Sequence, residues 1–171
     1  KKWDDEFTYV TVEPKDDSED NNYAITVTAT DNAGNEYTDE VSFIINTGAT
    51  TIDGPTFTGE SNELAKANHF TDKLTAEINF AGNANVFVEE NAINSIVITA
   101  TDANGDDIEL TAGTDYVISR VEGTTKLIVK FNKNGNYEVA VSGYMNSTGQ
   151  VSNKDAVSVT LDGEDPTAKF T

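Results

Sequence analysis

A two-residue rhythm of apolar and polar side chains constrains this chain more than any other feature. Residues 73–80 (KLTAEINF) place Leu74, Ala76, Ile78 and Phe80 on one side and Lys73, Thr75, Glu77 and Asn79 on the other. The same alternation puts Leu127, Val129 and Phe131 together, then Tyr137, Val139 and Val141, then Val157, Val159 and Leu161. A strand turns successive side chains to opposite faces, so these segments bury one face and wet the other, as antiparallel sheets do. Turn signals separate them: Asp-Ala-Asn-Gly-Asp at 102–106, Glu-Gly at 122–123, Asn-Lys-Asn-Gly-Asn at 132–136 and Asn-Ser-Thr-Gly at 146–149. Short strands at this spacing predict an all-β sandwich or barrel. Helical signal is confined to residues 61–68 (SNELAKAN), which read equally as one or two turns capped by Ser61 or Asn62, or as a decorated loop.

Composition removes whole classes of function. Thirty acidic side chains face eleven basic ones in 171 residues, a formal charge of -19, which repels nucleic acid and anionic lipid. No apolar run approaches the ~18 residues of a membrane span, and no signal peptide opens the chain, so a mature segment or a piece of a longer protein is expected. Zero cysteines leave no disulfide, thiolate metal site or thiol nucleophile. The single histidine, His69, argues against a histidine-rich zinc site and a Ser-His-Asp triad, and reads as a loop or edge residue. The sequence offers no basis for choosing a catalytic pair of carboxylates, and no enzymatic activity is expected.

Two stretches correspond. Residues 21–47 and 135–162 each run Asn-Tyr, alternating apolar residues, a glycine-containing turn and a second alternating strand. Tyr23 and Tyr137 lie 114 residues apart, the length of one sandwich domain. An Asp-Gly-(x)-Pro-Thr linker follows in outline at 53–56 and again at 162–167.

These features resemble the bacterial immunoglobulin-like repeats of cell-surface and secreted proteins. Residues 25–35 (ITVTATDNAGN) carry the resemblance as a last hairpin, and Gly-Thr-Asp-Tyr at 113–116 adds to it. It implies an all-β, immunoglobulin-like antiparallel β-sandwich in tandem arrangement, one complete domain plus partial flanking ones. Residues 1–47 then hold only strands E, F and G of one domain, 48–162 a complete domain, and 163–171 a linker and the start of another. Lettered strands fall near 54–58 (A), 72–80 (B), 94–101 (C), 107–111 (C′), 115–121 (D), 125–131 (E), 136–144 (F) and 151–161 (G). Tyr23 and Tyr137 occupy the place of the fold's tyrosine corner, and Ile25 and Val139 stand where antibody domains carry a cysteine. The implied setting is the extracellular or bacterial cell-surface space. There the segment acts as a non-catalytic spacer or adhesion module, its partners being neighbouring immunoglobulin-like domains of the same or another chain, a surface protein or a glycan.

Candidate sites follow, each beside a plainer reading. Asp102, Asn104 and Asp106 present oxygen ligands at alternate positions, as calcium loops do, although an Asn-Gly hairpin turn explains them more simply. Asp16, Asp17 and Asp20 crowd one loop that the fold would bring towards the linker residue Asp53. Ca2+ there would relieve their repulsion and stiffen a domain junction, and a solvated acidic loop is the competing reading. The alternative of a carbohydrate-binding accessory module of a secreted glycan-degrading enzyme needs exposed rings: Tyr144, counted outward on strand F, and Phe87, in a loop, are the candidates. Trp3 is expected to plug the missing half of its domain, and Tyr37, in phase with Val41 and Phe43, to lie in a core. A further reading is an assembling subunit, in which another chain's strands complete residues 1–47.

Overall fold

The computed structural model describes residues 21–31, 33–62 and 65–165. The chain divides into two compact units, Lys1–Gly48 and Ala49–Thr171. Among the described residues, the first unit is a two-stranded antiparallel ribbon. Strand β1 (Asn21–Thr30) pairs along its whole length with β2 (Glu36–Ile45), from Asn21 opposite Ile45 to Thr30 opposite Glu36. Its register places Tyr23, Ile25, Val27 and Ala29 opposite Phe43, Val41, Asp39 and Tyr37, so one face is largely apolar. The other face carries Thr26, Thr28, Thr38 and Glu40.

The second unit is a β-sandwich. Its strands are β3 (Thr51–Glu60), β4 (His69–Phe70), β5 (Asp72–Ala81), β6 (Ile96–Thr101), β7 (Tyr116–Arg120), β8 (Lys126–Phe131), β9 (Gly135–Met145) and β10 (Val151–Leu161). One sheet has the order β3-β5-β8-β7 and the other β4-β10-β9-β6. All pairings are antiparallel except the two-residue β4–β10 contact, which is parallel. The alternating segments 73–80 and 126–131 supply Leu74, Ile78, Leu127 and Val129 from the first sheet. Tyr137, Val139, Val141 and Val159 of the second sheet share one fully buried cluster with them. At ~1.5–3 kcal/mol per fully buried aliphatic or aromatic side chain, this cluster is the main favourable term for the unit.

Local chemistry explains the departures from regularity. No helix is assigned to the described residues of 61–68; helical structure occurs instead as a 3-10 turn at Ala84–Val86 and a short helix α1 (Glu89–Ser95). Glu89 and Glu90 in its first turn suit the positive end of the helix. Residues 107–111 form no strand. One bridge joins Thr101 to Asp107, after which Ile108 and Leu110 pack against the core as the chain crosses towards the other sheet. His69 lies on the edge strand β4, opposite Thr160.

The chain enters and leaves the second unit at opposite ends. Ser152 at the start of β10 donates a hydrogen bond to the carbonyl of Thr50, 2.6 Å away, at the entry to β3. The exit follows Leu161, the last residue of that same strand. At ~3.3 Å per residue the two ends stand roughly 30 Å apart.

Candidate functional site

Three glycine-containing turns share one design. At 31–35, 102–106 and 146–150 an Asp or Asn opens the loop, and a glycine at the fourth position adopts positive φ (Gly34 86°, Gly105 88°, Gly149 83°). Each glycine N–H donates to the carbonyl of the opening residue, at 3.0, 3.1 and 3.0 Å. The opening side chain then accepts N–H groups two and four residues on. Asp31 takes those of Ala33 and Asn35 (2.8 and 2.9 Å), Asp102 those of Asn104 and Asp106 (2.7 and 3.0 Å), and Asn146 those of Thr148 and Gln150 (3.1 and 3.0 Å). This is the three-residue hairpin loop, a type I turn followed by a left-handed residue.

Its electrostatics follow from those bonds. The backbone N–H groups of Asp106 and then Asn104 hold the Asp102 carboxyl below its ordinary value, and the Asn35 side chain, followed by its backbone N–H, does the same for Asp31. The Asp102 carboxylate is thus committed to its own turn: one oxygen binds two N–H groups, and the other takes the Asn104 side-chain amide at 3.2 Å.

Asp102 also borders an acidic depression of about 460 Å3 with Asp162, Glu164 and Asp165, at the end where the chain leaves the second unit. Asn134 and Asn136 line it as well: the Asn134 side chain accepts the N–H of Gly163 at 3.2 Å, and the Asn136 amide donates to the carbonyl of Asp102 at 3.1 Å. Oxygen donors of this kind suit a hard cation. Among the described residues, however, no three His, Cys, Asp or Glu side chains converge as metal ligands would. Asp53 stands exposed on β3, where the Asn79 amide reaches it at 3.4 Å. Asp16, Asp17 and Asp20 lie outside the described residues, as does Trp3.

The expectation of an outward Tyr144 is overturned. Its ring is fully buried, 4.7 Å from Phe80 between centroids, and its hydroxyl accepts the N–H of Val88 at 3.3 Å. The reason is a bulge in β9: Val141 faces Lys154 and Tyr144 faces Ser152, so three steps on β9 match two on β10. Gly143, at a φ of 70°, absorbs the extra residue, and its N–H is satisfied by the Asn153 side chain at 2.7 Å. Phe87 is half-buried against the same cluster, 5.8 Å from Phe80. The guanidinium of Arg120 covers it at 4.9 Å while pairing with Glu89 at 3.0 Å. Neither ring offers the open platform that sugar stacking requires.

Tyr37 departs in the other direction. It does share a face with Val41 and Phe43, as its phase implies, yet it is 70% exposed, with Val27 and Val41 at 60% and 61%. The residues missed by sequence reasoning are those on α1 and its approach. Asn91, whose amide donates to the carbonyl of Met145 at 2.7 Å, ties the helix to β9. Two helical turns are too short to display a readable period.

Comparison with protein-family models, with curated proteins and with solved structures found no match.

Proposed function

We propose that the chain is a non-catalytic segment of tandem immunoglobulin-like modules, serving as a spacer or adhesion element of a larger bacterial extracellular or cell-surface protein. The observation that carries this reading is the separation of entry and exit at the two ends of the second unit. A module whose chain ends lie at its opposite poles can carry a load along its length, which is what a spacer needs.

The strand order supports the immunoglobulin-like assignment. With β3, β5, β8 and β7 taken as A, B, E and D, one sheet has the A-B-E-D order, while β10, β9 and β6 give G-F-C in the other. The Tyr137 hydroxyl donates to the carbonyl of Lys133, four residues upstream, as a tyrosine corner does. Burial, and then the nearby Asp115 carboxylate, push that phenol up to about 12, so it keeps its donor proton across the physiological range. The charge of -19 suits a segment that must stay soluble and unassociated. The bacterial surface setting rests on the family resemblance.

Single-molecule stretching of the chain from its two ends tests the reading. A load-bearing spacer predicts one discrete unfolding event that releases the length of the second unit. Gradual extension without a discrete event would refute the spacer role.

A further inference from the structure

We infer that the open apolar face of the β1–β2 ribbon is a docking surface for a basic, amphipathic β-segment of another polypeptide, with Asp39 receiving its lysine or arginine. The face forms a shallow concavity of about 390 Å3, in which Ile25, Val27, Ala29, Tyr37 and Val41 surround Asp39. Val27, Tyr37 and Val41 are each at least 60% exposed, whereas the inward residues of the similarly closed β9–β10 hairpin, Tyr137, Val139 and Val141, lie beneath strands β5 and β8. That hairpin indicates the cover such a face accepts: a sheet-like surface of alternating apolar residues. A two-stranded ribbon without one is marginal in water.

Charge selects among possible covers. Residues 21–47 contain Asp31, Glu36, Asp39 and Glu40 and no lysine or arginine. Among the described residues no cation pairs with Asp39, whose carboxylate accepts only the N–H of Glu40, at 2.9 Å. Covering the face desolvates that carboxylate, which is costly unless a cation meets it. A second copy would bring a second Asp39 and another charge of -19 to the same contact. A lysine or arginine instead lays its methylene stem along Val27 and Val41, sets its charge against Asp39 and meets the exposed ring of Tyr37. Two strands of ten residues give roughly 300 Å2 of face, well below the ~800 Å2 per partner of a stable interface, so the contact is weak and reversible. This inference rests on the ribbon alone and is independent of the spacer reading.

The test uses the full chain and two synthetic β-hairpin peptides. Both present a valine face, one with a central lysine and the other with glutamate in its place. Amide NMR titration should show the lysine peptide shifting residues 25–29 and 37–41, while the glutamate peptide leaves them unmoved. Asp39→Asn should weaken the lysine peptide by about tenfold, and Asp39→Lys should reverse the preference. Shifts scattered over the acidic surface of the second unit would overturn the proposal, as would a preference that survives Asp39→Lys. Concentration-dependent dimerisation that protects this face, or protection of the face in the chain alone, would also overturn it by identifying a different cover.

Discussion

Asp31, Asp102 and Asn146 perform one task with two chemistries. Each side chain gathers N–H groups of a tight loop, but only the aspartates do so with a titratable group. The Asp102 carboxyl lies below its ordinary 3.8 because the N–H groups it accepts favour the charged form. A depressed carboxyl contributes stability that is fully present above that ordinary value and is lost as pH falls through the folded one. Acid should therefore loosen the 102–106 loop while leaving 146–150 intact, since an amide does not titrate. Amide exchange followed below pH ~4 should show the Asp106 N–H losing protection before that of Gln150, and Asp102→Asn should abolish the difference. Simultaneous loss at both loops in the wild-type chain would contradict this account. The same bonds bear on calcium: an ion at Asp102 would compete with N–H groups already held at 2.7 and 3.0 Å.

Strand β9 illustrates how one inserted residue redirects a side chain. Tyr23 lies eight residues before Asp31, whereas Tyr137 lies nine before Asn146, and the extra residue is taken up at the Gly143 bulge. Deleting Gly143 would equalise the spacings but turn Tyr144 out of the core, or else break the pairing of the 146–150 loop. Either result should cost about 3–5 kcal/mol, the loss of a buried aromatic, whereas Gly143→Ala should cost only the ~1–2 kcal/mol of left-handed strain, there being open space around the new Cβ. Urea denaturation of the two variants checks the ordering, and equal losses would refute it. The bulge also marks the limit of what the sequence makes legible. Period-two alternation located β1, β2, β5, β8, β9 and β10, because half-buried strands write their orientation into every second residue, whereas β3, β6 and β7 came with the strand lettering of the resemblance and the two-residue β4 was missed. The same counting misplaced Tyr144, because parity carries no mark of an insertion beyond a glycine within the strand. Residues 107–111 misled for a related reason: Ile108 and Leu110 alternate correctly but anchor an irregular crossover. At Tyr37 the phase was right and the burial was not, since phase specifies a face and says nothing of its cover.

At the scale of the whole molecule, the decisive contrast among the described residues is between a sandwich with two apolar faces in contact and a ribbon with one face exposed. In the second unit, β5, β8 and β9 lie inside their sheets and place Leu74, Ile78, Leu127, Val129, Val139 and Val141 at no more than 1% exposure. Opening their hydrogen bonds requires breaking the core that both sheets share, so their amides should exchange only through unfolding of the whole unit. The ribbon has ten paired positions, a Tyr23–Phe43 stack at 5.6 Å and cross-strand Thr–Thr and Thr–Glu bonds, each a small term in water. Conformational entropy of ~1–2 kcal/mol per ordered residue easily matches contacts of that kind. Hydrogen exchange should therefore find β1 and β2 amides opening locally, orders of magnitude faster than those of β5 and β8, and insensitive to core substitutions such as Leu127→Ala that accelerate the second unit. Addition of the lysine-bearing hairpin peptide should slow exchange in β1 and β2 alone. Protection in β1 equal to that in β8 before any addition would mean that the apolar face is already covered, and the ribbon would then have to be treated as part of a closed core.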